Sequence, residues 1–208
     1  MSDHLLGFHY RFVAGEGKDT LLLLHGTGGD ESDLLQLGRA LWPAANLLGV
    51  RGRVLEHGMP RFFRRLGPGV FDEADLTQRT HELADFIRAA ADLHRLDSER
   101  IDAVGYSNGA NIAASLLLLE PGVLRRAVLF RAMLPLQPKT VPDLHGTAAF
   151  VAAGRGDPQI PAEGTQALVE LLSASGAEVT VHWVDGGHGL SQEELPPVRA
   201  WLAGSGMK

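Results

Sequence analysis

A serine lies in a five-residue segment, residues 105–109 (GYSNG), that could carry covalent chemistry. An apolar run at 100–104 precedes this segment, and a stretch of helical period at 108–119 follows it. A serine on a tight turn between a strand and a helix presents its hydroxyl group outward, and flanking glycines let the two elements approach closely. Ser107 is therefore a candidate nucleophile. The alternative is a glycine-lined turn in which Ser107 only caps the helix.

A serine hydroxyl group becomes a good nucleophile only when a base takes its proton, so a histidine and an orienting carboxylate are required. After a turn of this kind, the acid follows a later strand and the histidine follows the last strand. Asp157 comes shortly after the apolar run at 148–153, and His188 comes after the run at 178–184. Their order and placement predict that Ser107, Asp157 and His188 form a triad.

Other side chains could fill the same roles. Asp143 is the fallback if the acid follows the preceding strand, whereas Asp185 is too close to His188 along the same loop to orient it easily. Asp157 could also be an ordinary turn residue before a proline, and His188 a loop histidine among flexible glycines. None of the remaining histidines falls in a loop after the final predicted strand.

The transition state of acyl transfer carries negative charge on the carbonyl oxygen, so catalysis also needs backbone N–H groups aimed at that atom. Asn108, the residue after the candidate nucleophile, is expected to provide one of them at the start of its helix. The second is expected from the loop at 25–30 (HGTGGD), whose glycines allow the backbone to curl beside the serine. We predict Thr27 as this donor, with Gly28 as the second choice.

The glycines of the same loop do not fit a nucleotide-binding motif. After Gly26 and Gly28, the third glycine of a GxGxxG motif would fall at Glu31, and no GxxxxGK[ST] segment occurs. No HExxH or comparable metal motif is present, and the lack of cysteine excludes disulfides, thiolate metal sites and a cysteine nucleophile. The predicted chemistry needs no cofactor and no metal.

Two groups of side chains could shape a substrate pocket. Five apolar residues could wall an acyl or aryl pocket, although core packing explains them at least as well: Met59, Phe62, Phe63, Phe71 and Leu190. Arg61, Arg64 and Arg65 could receive an anionic substrate, but a solvated charged surface is the more common explanation for such a cluster.

The elements that must position these residues alternate along the chain. Apolar, β-branched or aromatic runs predict seven strands, at 8–13, 20–25, 46–50, 100–104, 127–131, 148–153 and 178–184. Helical periodicity falls at 31–42, 76–96, 108–119, 162–175 and 192–203. This alternation predicts an α/β fold with a mostly parallel sheet, the first two strands joined as an antiparallel hairpin and the last strand near the edge. Segments 51–74 and 132–147 are predicted to be irregular.

Length and composition limit the classes of protein. The 208 residues are 45% hydrophobic and 21% charged, which predicts one globular domain spanning 1–208. A net charge of −6 without a long basic run argues against nucleic acid as a partner. The N-terminus lacks the features of a signal peptide, and no apolar run reaches the roughly 18 residues of a membrane-spanning helix. We therefore expect a cytoplasmic monomer or homodimer without stable membrane association.

Segments spread over most of the chain carry a family resemblance. They are 21–30 (LLLLHGTGGD), 50–65 (VRGRVLEHGMPRFFRR), 71–76 (FDEADL), 105–114 (GYSNGANIAA) and 187–188 (GH). Together they resemble the phospholipase/carboxylesterase family of α/β-hydrolases, which includes the acyl-protein thioesterases. Among its members, they are most similar to bacterial hydrolases of the methylhydroquinone-resistance type.

The resemblance implies an α/β-hydrolase fold without a large cap domain. It also implies that Ser107, Asp157 and His188 occupy the family's triad positions, and that Thr27 and Asn108 occupy its oxyanion-hole positions. The implied activity is hydrolysis of a small-molecule carboxylic ester.

Two other functions stay open at this point. A thioesterase or lysophospholipase would use the same triad, and a catalytically silent binding module could keep the same fold. One local feature departs from the family: Phe130-Arg131 stands where close relatives are expected to have histidine-rich sequence, which bears on substrate preference.

Overall fold

A computed structural model describes residues 3–204 of the chain. The strands are β1 (Asp3–Leu5), β2 (Phe8–Val13), β3 (Thr20–Leu24), β4 (Asn46–Val50), β5 (Val54–Glu56), β6 (Met59–Arg61), β7 (Arg65–Gly67), β8 (Val70–Phe71), β9 (Ile101–Tyr106), β10 (Arg126–Phe130), β11 (Ala148–Gly154) and β12 (Glu178–Val184). The helices are α1 (Leu35–Leu41), α2 (Glu73–His94), α3 (Asn108–Leu119), α4 (Ala162–Ala174) and α5 (Leu195–Gly204). Single 3-10 turns lie at Ser98–Arg100 and Gln192–Glu194.

Eight strands form one sheet in the order β1-β2-β4-β3-β9-β10-β11-β12. The six strands from β4 to β12 run parallel, whereas β1 and β2 pair in antiparallel fashion. Strand β3 is buried at every residue, as expected for a central strand covered by helices on both faces. The mostly parallel α/β sheet is therefore confirmed, and so is the edge position of β12 within the described residues.

The predicted hairpin between the first two strands is wrong. Strand β4 lies between β2 and β3, pairing antiparallel with β2 and parallel with β3. The loop from 14 to 19 is held against the start of β4, because Gly15 N–H donates to Asn46 Oδ1 at 2.9 Å and Gly17 N–H donates to the Ala44 carbonyl at 2.7 Å. This arrangement leaves both edges of the fully buried β3 free to pair with parallel neighbours.

Several element boundaries also differ from the prediction. Strand β1 was not predicted, and the segment 51–74 is not irregular but contains the hairpins β5–β6 and β7–β8. Helix α1 begins only at Leu35, because Asp30 Oδ1 accepts a hydrogen bond from Ser32 N–H at 2.7 Å and holds a turn before it. Helix α2 begins earlier than predicted, at Glu73, where Asp72 caps it by accepting from Asp75 N–H.

Apolar side chains cover the sheet on both faces. Helices α2, α3 and α4 pack on one face, and α1 and α5 pack on the other. Helix α3 is buried along nearly its whole length, so its first residue is fixed firmly at the end of β9. Residues 3–204 form an α/β-hydrolase fold and include no large cap domain. In the same range, no helix has the length and apolar character needed to cross a membrane.

Candidate active site

The turn that carries Ser107 is strained and tightly packed. Ser107 adopts φ 53° and ψ −113°, a conformation that L-residues rarely adopt. A Cβ atom at Gly105 would lie 2.6 Å from the Gly109 carbonyl oxygen, and one at Gly109 would lie 2.0 Å from the Leu24 carbonyl oxygen. Only glycine fits at both positions, so β9, α3 and β3 can meet closely enough to force the serine outward.

The side chains of the three predicted triad residues lie in hydrogen-bonding contact. His188 Nε2 lies 2.9 Å from Ser107 Oγ, and His188 Nδ1 lies 2.8 Å from Asp157 Oδ2. Ser107 follows β9, Asp157 follows β11 and His188 follows β12. Because these strands are parallel, their carboxyl ends share one edge of the sheet and bring the three distant residues together.

The Asp157 carboxylate is fully engaged. Its Oδ1 atom accepts from the backbone N–H groups of Gln159 and Ile160 at 2.8 and 3.1 Å, which leaves Oδ2 facing the imidazole. The two competing acids lie elsewhere, since Asp143 pairs with the exposed His145 and Asp185 is 94% exposed beside Arg155. Of the three acids considered, Asp157 is therefore the one that contacts His188.

Two side chains hold the loop that carries His188. Arg131 Nε donates to the Gly187 carbonyl at 3.0 Å, and Arg131 Nη2 donates to the Gly189 carbonyl at 2.7 Å. Tyr106 Oη donates to the carbonyl of His188 itself at 3.0 Å. The three consecutive carbonyls around the histidine are thus each fixed by a side chain from the end of β9 or β10.

Arg131 is in turn held by a buried carboxylate. Arg131 Nη1 lies 2.6 Å from Glu194 Oε1, and the two side chains are 1% and 0% exposed. In the sequence, Arg131 is only part of a local departure from the family that bears on substrate preference. The structure gives it a different place, behind the His188 loop. A charged residue directly after an apolar strand was the signal that could have indicated a buried ion pair.

The backbone N–H groups of the two predicted oxyanion donors, Thr27 and Asn108, donate to no described residue, whereas that of the second-choice donor does. Asn108 N–H belongs to the first turn of α3, where the backbone N–H groups have no partner within the helix. Gly28 N–H already donates to the Pro60 carbonyl at 2.9 Å, which removes the second-choice donor. Thr27 N–H donates to no described residue and stays available beside Ser107.

A cavity of about 460 Å³ opens beside Ser107. Of the five predicted pocket residues, Phe71 lines it. The expectation for the other four is wrong: Phe62 and Phe63 are buried in the core, while Met59 and Leu190 lie at the surface, 41% and 38% exposed. The cavity is lined by Thr27, Arg61, Arg65, Pro68, Gly69, Phe71, Ser107, Asn108, Asn111, Met133, Pro158, Gln159, Ile160 and Pro161.

The arginine cluster does not form a uniformly solvated surface. Arg64 fits that expectation, since its side chain is 61% exposed and paired with Asp72. Arg61 contradicts it, because its side chain is 4% exposed and its Nη1 donates to Thr27 Oγ1 at 2.6 Å. Burial lowers the pKa of Arg61 from its usual value, and Glu56 opposes that shift. Arginine nevertheless stays charged at neutral pH.

Comparisons with known proteins fit this geometry. The sequence profile of the phospholipase/carboxylesterase family matches residues 58–205. The chain belongs to this family. It is 54% identical over 190 residues to a putative hydrolase, MhqD, of Bacillus subtilis, covering 91% of this chain and 95% of the relative. It is 30% identical over 179 residues to acyl-protein thioesterase 1 of Mycosarcoma maydis, covering 74% of this chain and 75% of that relative.

A solved structure shows the same fold. The carboxylesterase of Bacillus cereus superposes with a TM-score of 0.93 at 44% identity, covering 95% of this chain and 94% of that one. The family and its relatives identify this chain as a hydrolase of the carboxylesterase family.

Proposed function

We propose that the protein hydrolyses small carboxylic esters through an acyl-enzyme formed on Ser107. The observation that carries this proposal is the unbroken set of contacts from Asp157 through His188 to the hydroxyl group of Ser107, which lines a cavity. Family membership supports the reaction class, and the cavity volume suits a small substrate.

His188 is the proposed base. Its Nε2 atom accepts the Ser107 proton as Oγ attacks the acyl carbonyl, and the imidazolium then donates that proton to the leaving alcohol. Asp157 holds the proton on Nδ1 and stabilises the imidazolium. A water molecule, activated by the same histidine, then cleaves the acyl-enzyme and releases the carboxylic acid.

The backbone N–H groups of Thr27 and Asn108 are the proposed oxyanion donors. Both residues line the cavity with Ser107, and neither group is committed to another described residue. The hydrogen bond from Arg61 to the Thr27 hydroxyl oxygen fixes the Thr27 loop in place. Preorganised donors of this kind typically contribute about 10²–10³-fold each to turnover.

The test is a panel of aryl and alkyl esters of varied acyl length, run on wild type and Ser107→Ala. We expect the substitution to lower kcat by about 10³-fold or more, with residual activity from the oxyanion hole. A fluorophosphonate probe should label wild type and fail to label the variant. Unchanged ester hydrolysis by Ser107→Ala would refute the proposal. Absence of labelling in wild type would also refute it, and is the result expected of a catalytically silent binding module.

A thioester substrate is the second candidate, and the relationship to an acyl-protein thioesterase favours its inclusion. The same triad would cleave it, since only the leaving atom differs. Thioesters of matched acyl length therefore belong in the panel, and the ratio of kcat/KM for ester and thioester decides between the two.

A further inference from the structure

The polar side chains around the cavity beside Ser107 are biased toward hydrogen-bond donors. Among the described residues, the charged side chains that line it are those of Arg61 and Arg65, and no carboxylate does. Asp157, the acid of the proposed triad, has a side chain that is 1% exposed. Its two carboxylate oxygens bind His188 and two backbone N–H groups. Positive charge therefore faces the cavity without a negative group on the same wall.

The two arginines share a single carboxylate outside the cavity lining. Arg65 Nε lies 2.8 Å from Glu56 Oε1, and Arg61 Nη1 lies 3.4 Å from Glu56 Oε2. The pair and Glu56 together carry one net positive charge. Beyond these contacts, the Arg65 Nη1 and Nη2 groups and the Arg61 Nη2 group donate to no described residue. Several guanidinium N–H groups are thus left for a ligand.

Two asparagines on the cavity wall add further donors. Asn108 Oδ1 accepts from Phe62 N–H at 2.7 Å, and Asn111 Oδ1 accepts from Met133 N–H at 3.0 Å. Both acceptor atoms are therefore occupied by backbone groups, which sets the orientation of each amide. Asn108 is 2% exposed, and its Nδ2 atom has no hydrogen-bond partner among the described residues. A buried donor without a partner is costly unless a ligand satisfies it.

We propose that this cavity binds a carboxylate group of the substrate, so that the preferred esters carry a free acid in addition to the scissile ester. The inference rests on the proposed ester hydrolysis. A carboxylate offers two acceptor oxygens and a negative charge, which match the guanidinium and amide donors in both hydrogen bonding and sign. Phe71, Met133 and Ile160 provide the apolar contacts for the carbon chain that links the acid to the ester.

Matched ester pairs test the proposal. On the acyl side, the mono-4-nitrophenyl ester of adipate is compared with 4-nitrophenyl hexanoate. On the alcohol side, 4-acetoxybenzoate is compared with 4-methylphenyl acetate. In at least one pair, wild type should show a kcat/KM about tenfold or more higher for the anionic ester, the size expected for charge-assisted hydrogen bonds. The pair that shows the preference identifies which side of the ester faces the arginines.

Arg65→Gln is the informative variant, because its side chain is 34% exposed and can be replaced without burying an unpaired charge. The anionic-to-neutral ratio of kcat/KM should fall at least about fivefold in this variant, since an uncharged amide replaces the guanidinium. Arg64→Gln is the matched control: the neighbouring arginine is more exposed, does not line the cavity, and should keep the wild-type ratio.

A measurement on the unaltered protein provides a second readout. Adipate should inhibit hydrolysis of 4-nitrophenyl hexanoate more strongly than adipamide does, because the two have the same chain length and only adipate carries carboxylates. Equal kcat/KM within both ester pairs would overturn this inference while leaving ester hydrolysis intact, and so would equal inhibition by adipate and adipamide. Failure to hydrolyse any ester would instead refute the proposed function itself.

Discussion

The Arg131–Glu194 pair allows fold stability and positioning of the proposed base to be separated. Among the described residues, Arg131 does not line the cavity and makes no hydrogen bond to Ser107, yet it donates to the carbonyls on both sides of His188. Replacement by methionine keeps an unbranched apolar side chain in place of the arginine's methylene groups and removes every donor. Arg131→Met should therefore perturb both the buried ion pair and the His188 loop.

The stability effect follows from burial. Both charged side chains are at most 1% exposed, so Arg131→Met leaves Glu194 as a buried carboxylate without its counter-charge. Removing one partner of a buried pair typically lowers the free energy of unfolding by about 3–5 kcal/mol. Arg88→Gln is the control, since Arg88 is a 53% exposed arginine paired with Glu120, and its loss should cost less than about 1 kcal/mol.

The double variant Arg131→Met/Glu194→Gln isolates the positioning effect. Glutamine removes the unpaired charge and can still accept from Ser191 N–H, the bond that Glu194 Oε2 makes at 2.8 Å. We expect the double variant to be more stable than Arg131→Met by at least about 1 kcal/mol. In the double variant, the Gly187 and Gly189 carbonyls still lack the hydrogen bonds from Arg131. We therefore expect kcat to remain about 10- to 100-fold below wild type, because a small misplacement of the base slows the reaction by about that factor.

Urea unfolding followed by circular dichroism, with kcat and KM measured on the folded variants, provides the assay. KM should change little, because Arg131 does not line the cavity. Recovery of wild-type kcat in the double variant would show that Arg131 acts on stability alone. Equal urea midpoints of unfolding for Arg131→Met and Arg88→Gln would refute the argument from the buried charge.

Two further substitutions test single contacts. Tyr106→Phe removes the hydrogen bond to the His188 carbonyl and should lower kcat about 2- to 10-fold, whereas Tyr10→Phe, which loses a similar bond to His94 far from the site, should leave kcat unchanged. Gly109→Ala places a Cβ atom 2.0 Å from the Leu24 carbonyl oxygen and should lower the free energy of unfolding by at least about 3 kcal/mol, or prevent folding. In the control Gly204→Ala, the added Cβ atom has no neighbour within 4 Å, so the free energy of unfolding should change by less than about 0.5 kcal/mol. Equal effects of the two alanine substitutions would contradict the packing argument.

Sequence patterns predicted the parts of this protein that depend on local chemistry. The glycines around Ser107 are spaced for a close approach of strand and helix, and the structure shows that neither tolerates a Cβ atom. Asp157 and His188 could be predicted as partners of Ser107 because each follows a segment with a recognisable strand pattern, and parallel strands end at a common edge. These inferences require only that each segment is recognised as a strand or a helix and that neighbouring strands run parallel.

Contacts between distant segments could not be predicted in the same way. The position of β4 between β2 and β3 depends on strand pairing across more than one connection, which a short loop at 14–19 does not reveal. Arg61 resembles its exposed neighbour Arg64 in sequence, but Thr27 and Glu56 approach it only in the folded chain. Burial of an arginine depends on such partners, and partners are set by tertiary structure.

The loop that presents His188 shows why polar contacts, and not packing, hold this part of the site. Residues 186–189 (GGHG) contain three glycines, which lose the most conformational freedom on folding and offer no side chains to pack. Fixing such backbone costs about 1–2 kcal/mol per residue. All four carbonyls of the segment accept hydrogen bonds, from Gly156 N–H, Arg131 Nε, Tyr106 Oη and Arg131 Nη2 in order along the chain.

At about 0.5–1.5 kcal/mol net for each bond, these contacts offset much of that conformational cost. They also come from the ends of β9, β10 and β11, the strands that carry or flank Ser107 and Asp157. The imidazole is therefore tied to the same sheet edge as the groups it contacts. A flexible glycine loop can place a base accurately only when the rigid sheet supplies its hydrogen-bond partners, and that requirement explains a buried, charged residue at position 131.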